Sequence, residues 1–215
     1  MNQIDIYGDI GESFWGESIT ASSVKDQLKE MKGDVTVRIN SGGGSVFEGF
    51  AMYNLLKAHD GKVTTINDGI AASAASTVFM AGDERITADN ALTMIHNPWS
   101  LAFGDAEEMR NTANLLDKIK GSIIKTYTAG TDLSDDEVSN MMSDETWLDA
   151  DEAIKQGFAT DKAEDSSKAV ANMDKPWINK APKIEKTDND AVAESINIAA
   201  INSRNRKLKL LMADA

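Results

Sequence analysis

The stretch Val35-Thr-Val-Arg-Ile-Asn-Ser-Gly-Gly-Gly-Ser-Val-Phe-Glu-Gly-Phe-Ala-Met-Tyr-Asn-Leu-Leu-Lys-Ala58 decides the fold class. β-Branched residues dominate from Val35 to Ile39, three glycines end the run, and helix formers fill Val46 to Ala58. A strand thus passes through a tight turn into a helix. The same order repeats outward. Upstream, Ile4 and Ile6 before Gly8 read as a strand, and Ile19 to Met31 as a helix with Val24, Leu28 and Met31 on one face. Downstream, Gly61 breaks the helix, Val63 to Ile66 is a strand, and a Gly-containing turn leads to a small-residue helix from Ala71 to Ala81. Ala91 to Ile95 is a further strand. Asp105 to Tyr127 reads as one long helix. Its stripe is Met109, Thr112, Leu116, Ile119, Ile123 and Tyr127, widened by Leu115 and Ile124. Ser134-Asp-Asp-Glu137 is a capping box that opens a shorter helix. The alternation predicts α/β layering around a largely parallel sheet.

Composition narrows the function. With 41% apolar residues the 215-residue chain can bury a core without staples. No apolar run approaches the ~18 residues that a membrane span needs. Met1 to Asp9 carries acids where a secretory signal would carry bases and then an apolar segment. The absence of cysteine excludes disulfides, thiol nucleophiles and Cys-ligated metals, and fits a reducing cytoplasm. With only His59 and His96, a His-rich metal site is not expected. A net charge of −13 argues against a surface that tracks phosphates, so no nucleic-acid partner is expected. The acid surplus falls before residue 161. From Lys162 to Asp190 apolar residues are sparse and aperiodic, and Pro176 and Pro182 lie there. The expected organisation is a body over 1–161, a polar and disordered linker over 162–190, and a short C-terminal helix or tail over 191–215. In the last piece Val192, Ile196, Ala199 and Ala200 fall at helical spacing, and Arg204 to Leu211 is basic and apolar. It reads as a frayed tail or as a partner-binding helix.

Three loops sit at the C-terminal ends of the expected strands, where α/β folds collect their sites. They are Asn40-Ser-Gly-Gly-Gly-Ser45, Asp68-Gly-Ile-Ala-Ala-Ser-Ala-Ala-Ser76 and Met94-Ile-His-Asn-Pro98. Ser73 stands at a helix start, where backbone N–H groups and the helix dipole favour a nucleophile; a plain N-cap or packing serine fits the same pattern. Gly42 to Gly44 can turn the chain or aim N–H groups at an oxyanion, but lacks the Gly-Lys-Ser/Thr ending of a P-loop. His96 alone fits a hydrogen-bonded structural histidine as well as a base. His59, beside Asp60, reads as part of a solvated helix end.

Taken together, the three loops resemble the proteolytic subunit of the Clp protease, a serine peptidase family of the ClpP/crotonase-like fold. The family's Asn-Ser-Pro-Gly-Gly, Gly-x-Ala-Ala-Ser and Met-Ile-His-x-Pro appear in the same order. A fourth match is Glu145-Thr-Trp-Leu-Asp-Ala-Asp-Glu-Ala-Ile-Lys-Gln-Gly-Phe-Ala-Thr-Asp161. The resemblance covers about residues 4–161. It implies an α/β fold of repeated β-β-α and βα units with a long protruding helix between subunits. It also implies Ser73 as nucleophile, His96 as general base, and Gly43 and Ala74 as oxyanion-hole donors. Register from Trp147-Leu148 places the family's third acid on Glu145, with Asp144 the second choice. Gly44, Ser45 and Val46 correspond to the edge along which a peptide adds as a strand. Gly42 replaces the family proline and frees that turn.

The resemblance implies a homo-oligomeric ring acting on protein substrates without a cofactor. The chain begins almost directly with the first core strand, so an AAA+ unfoldase partner is not expected. Short Clp-like chains with Glu-Thr-Trp-Leu and an added tail resemble the head-maturation (prohead) proteases of tailed bacteriophages. Those trim scaffold and capsid proteins inside an immature head within the host cytoplasm. The alternatives are a host Clp-like peptidase, an acyl-CoA enzyme of the crotonase type, a Ser-Lys signal-peptide peptidase relative, and an inactive shell component. The joint presence of Ser73 and His96 favours peptidolysis over the acyl-CoA and inactive readings, and His96 with the lack of a membrane segment argues against the Ser-Lys relative.

Overall fold

The computed structural model describes residues 2–11 and 18–163. The chain runs β1 (Asn2–Tyr7), β2 (Asp9–Ile10), β3 (Ser18–Ile19), α1 (Ala21–Glu30), β4 (Val35–Ser41) and α2 (Val46–Lys57). It continues through β5 (Val63–Ala72), α3 (Ala74–Phe79), β6 (Glu84–Thr87), β7 (Leu92–Ile95) and α4 (Ala106–Thr128). It closes with α5 (Asp135–Ser143), β8 (Thr146–Leu148), α6 (Ala150–Lys155) and β9 (Asp161–Lys162). Most of the expected linker and all of the expected tail lie outside the described residues. Lys162, where the linker was expected to begin, is the second residue of β9 and pairs with Thr87.

The main sheet has the order β1-β4-β5-β6-β9, every neighbour parallel, and β7 joins it along the far half of β5. The expected parallel sheet is therefore present. One strand departs: β8 runs antiparallel to β7, with Thr93, Met94 and Ile95 opposite Leu148, Trp147 and Thr146. The strands alternate as β-branched runs should. In β4, Val35, Val37, Ile39 and Ser41 are buried while the residues between them are only partly covered. Ile4, Ile6, Val24, Met52, Leu56, Phe79 and Phe158 join Val35, Val37 and Ile39 in one core cluster.

Three differences from the sequence reading bear on the site. The chain does not leave the sheet at Asp68-Gly69. β5 continues to Ala72 and changes partner, pairing Thr64 to Asn67 with β6 and Ile70 to Ala72 with β7. Asn67 holds this switch, its amide donating to the Leu92 carbonyl at 3.0 Å and its side-chain oxygen accepting from Gly69 N–H at 3.2 Å. The helix expected from Ala71 therefore begins only at Ala74. The first helix likewise starts at Ala21, since Ile19 belongs to β3 and Thr20 caps α1. On α4 only the second half of the stripe is buried, at Ile119, Ile123 and Tyr127; Met109 and Leu115 face solvent.

Candidate active site

Ser73 joins β5 to α3 in a conformation that L-residues rarely adopt, φ 54°, ψ −125°. Such geometry costs about 1–3 kcal/mol and persists only where the surroundings enforce it. It also turns the side chain away from the helix. Ser73 occupies the N-cap position of α3, yet its hydroxyl makes no capping bond. The hydroxyl meets His96 instead, with Oγ 2.8 Å from Nε2. This contact disfavours the plain N-cap reading of Ser73.

His96 follows the last residue of β7 and is half-buried. Burial holds its imidazole below the ordinary pKa range, while the Glu145 carboxylate pulls the other way. Lowering favours the neutral ring, the form that accepts the Ser73 proton on Nε2. Next to it, Asn97 N–H donates to the Met142 carbonyl at 3.0 Å and fastens the end of β7 to α5. The buried Asn97 Oδ1 has no partner among the described residues.

The β7–β8 register separates the two acids. Ile95 lies opposite Thr146, where the pairing ends, so Glu145 just precedes β8 as His96 just follows β7, and the Glu145 carboxylate acts on the His96 ring. Glu145 also holds a positive φ of 50°, a sharp corner between α5 and β8. Asp144 is the helical C-cap of α5. Glu145 is thus the acid brought to His96. Its carboxylate accepts from Trp147 Nε1 at 3.4 Å, and no hydrogen bond to His96 is present among the described residues.

The glycine run closes over Ser73. Gly43 has φ +100°, and a Cβ there would stand 2.7 Å from the Ser73 Cβ and 3.0 Å from Ala74 N. Only glycine allows the loop this close. The Gly43 carbonyl accepts from Ile10 N–H at 2.9 Å. Its N–H donates to Ser41 Oγ at 3.1 Å, while Ser41 Oγ donates to the Gly8 carbonyl at 2.6 Å. The extended edge expected at Gly44, Ser45 and Val46 is shorter than the sequence suggested. Gly44 bridges Ile10, Ser45 caps α2 and Val46 is its first residue. An N-capping serine ahead of a helical run is a signal that could have shown this.

Sequence reasoning missed Ser41, Ser76 and Tyr127. Ser76 Oγ donates to the Ser73 carbonyl at 2.6 Å and lies 2.8 Å from the Tyr127 hydroxyl. Among the described residues, no group of three or more His, Asp and Glu is placed to hold a metal ion. No helix there is long and apolar enough to cross a membrane.

The chain is similar to proteins of one family. The family model described as Clp protease matches residues 2–165. An ATP-dependent Clp protease proteolytic subunit from Bacteroides fragilis is 30% identical over 171 residues, covering 74% of this chain and 83% of the relative. One from Bacteroides thetaiotaomicron is 31% identical over 152 residues, covering 66% and 68%. Among solved structures, a ClpP1 mutant from Listeria monocytogenes superposes with a TM-score of 0.66 at 25% identity, covering 76% of this chain and 91% of that one.

Proposed function

Because the chain belongs to the Clp protease family, we propose that it is a serine endopeptidase with Ser73 as its nucleophile and His96 as its general base. The 2.8 Å contact between Ser73 Oγ and His96 Nε2, made by a serine that does not cap its own helix, carries this reading. His96 Nε2 takes the hydroxyl proton as Ser73 Oγ attacks the peptide carbonyl carbon. The tetrahedral oxyanion lies against the N–H groups of Ala74 and Gly43. Gly43 N–H must then exchange or share its bond to Ser41 Oγ. His96 returns the proton to the leaving amine and an acyl-enzyme remains; His96 then takes a proton from water as its oxygen attacks the ester, and gives that proton to the departing Ser73 Oγ. Glu145 orients the imidazole, with Asp144 the less favoured acid. Gly44, Ser45 and Val46 border the path of the substrate.

A homo-oligomeric ring acting on protein substrates is the assembly that the resemblance implies. The role in a bacteriophage head, on scaffold and capsid proteins, rests on the likeness of Glu145-Thr-Trp-Leu148 to prohead proteases. The host role has its own support, since the Bacteroides relatives are named as subunits of an ATP-dependent protease. Incubation with an unfolded polypeptide tests the activity itself: the chain cleaves it and Ser73→Ala does not. Equal cleavage by both would remove the proposal. Cleavage of co-expressed capsid and scaffold proteins, without an AAA+ unfoldase, separates the phage setting from the host one.

A further inference from the structure

Ser73 keeps its strained backbone only because its neighbours fix it. On one side its N–H donates to the Met94 carbonyl of β7 at 2.9 Å. On the other side its carbonyl receives the N–H groups of Ser76 at 3.0 Å and Thr77 at 3.4 Å. It also receives the Ser76 hydroxyl, at 2.6 Å. That last donor is part of a longer chain. A carbonyl has no hydrogen to give, so the one hydroxyl hydrogen of Ser76 goes to Ser73. The 2.8 Å contact between Ser76 Oγ and Tyr127 is therefore made by the tyrosine donating. The order is Tyr127 O–H to Ser76 Oγ–H to the Ser73 carbonyl.

The two hydroxyls belong to buried residues. Ser76 is fully covered and Tyr127 nearly so. Burial raises the Tyr127 phenol, which keeps it a donor through the neutral range. Tyr127 belongs to the last turn of α4, and its ring stands edge-on to Phe158 with centroids 5.4 Å apart. A phenylalanine at 127 and an alanine at 76 would fill nearly the same space without burying two hydroxyls. What the hydroxyls add is a hold on one carbonyl, the one belonging to the strained residue.

We infer that Tyr127 and Ser76 are positioning residues for the nucleophile. They hold the Ser73 carbonyl, and through it the backbone turn that presents Oγ to His96. The seating of α4 against α3 is thereby coupled to the reactivity of Ser73.

The inference rests on Ser73 being the nucleophile, and one experiment separates the two claims. The second-order rate of Ser73 labelling by a fluorophosphonate is measured for wild type, Tyr127→Phe, Ser76→Ala and the double variant. Thermal unfolding is followed for each. Each single change is expected to slow labelling about tenfold, the effect of losing one hydrogen bond. The double variant is expected to be no slower than the worse single, because both changes break one chain. The midpoint of the labelling pH profile stays put, since His96 is untouched. Should Ser76→Ala not fold, Tyr127→Phe decides alone, because its ring packing is retained. Labelling of the folded variants at the wild-type rate, or losses that multiply in the double variant, overturns the inference and leaves the nucleophile in place. Absence of label on folded wild type overturns the nucleophile reading and the inference with it.

Discussion

The effect of Glu145, the acid whose charge acts on His96, is separable from that of its neighbour Asp144. Glu145 raises the His96 pKa while burial lowers it, with burial the larger influence. In the proposed mechanism His96 works as the neutral ring, so activity should rise with pH through the His96 pKa and level above it. Glu145→Gln removes the charge that favours the imidazolium. The acid limb of the kcat/KM profile should then move to lower pH, while the plateau falls by roughly 10²-fold because the ring loses its orienting partner. Asp144→Asn should leave both nearly unchanged. A profile that moves with Asp144 and not with Glu145 would reverse the assignment. Ser73 and His96 were legible because short motifs carry them. Glu145 was read ahead of Asp144 from its spacing to Trp147-Leu148; the β7–β8 pairing that brings Glu145 near His96 was not readable, because no local pattern shows which strands pair. Ser41, Ser76 and Tyr127 were hidden for a related reason: Ser76 and Tyr127 lie 51 residues apart in the chain, and no local pattern pairs them.

At the scale of elements, the alternation of β-branched runs and helix formers made β1, β4, α2, β7 and α4 readable. The small polar elements were not. β6, Glu84-Arg-Ile-Thr87, offers little apolar pattern, yet it holds the end of the sheet. Arg85 explains its seat. Its guanidinium donates to the carbonyls of Gly82 at 3.2 Å, Gly130 at 2.9 Å, Gly157 at 3.0 Å and Phe158 at 2.9 Å. Gly130 and Gly157 lie just past the C-caps of α4 and α6, where spare carbonyls and the helix dipole attract a cation. Arg85→Ala should cost about 3 kcal/mol in urea unfolding, since it strips a half-buried cation from four acceptors. Arg85→Lys should recover little of that, because one ammonium cannot fork to four carbonyls. A loss below about 0.5 kcal/mol for the alanine variant would show that water replaces the guanidinium.

At the scale of the molecule, the chain is strongly acidic, with a net charge of −13, yet leaves apolar side chains in solvent along α4 and the segment before it. Trp99, Leu101 and Phe103 precede the helix; Met109 and Leu115 lie in its first half. The sequence stripe was right about the helix, and within one chain only Ile119, Ile123 and Tyr127 of it are buried. The ring reading gives the exposed half a role. Sedimentation at micromolar concentration should find an assembly much larger than one chain, and Leu115→Asp should weaken it. A monomer in the unaltered protein would contradict the ring.

The central claim is that Ser73 is a nucleophile activated by His96. A fluorophosphonate adduct mapped by peptide mass spectrometry tests it most directly. The account predicts a phosphonyl group on Ser73 in the wild type, none in Ser73→Ala, and labelling slowed about 10³-fold or more in His96→Ala. Folded, assembled protein that takes no label, or that labels equally well without His96, would contradict it.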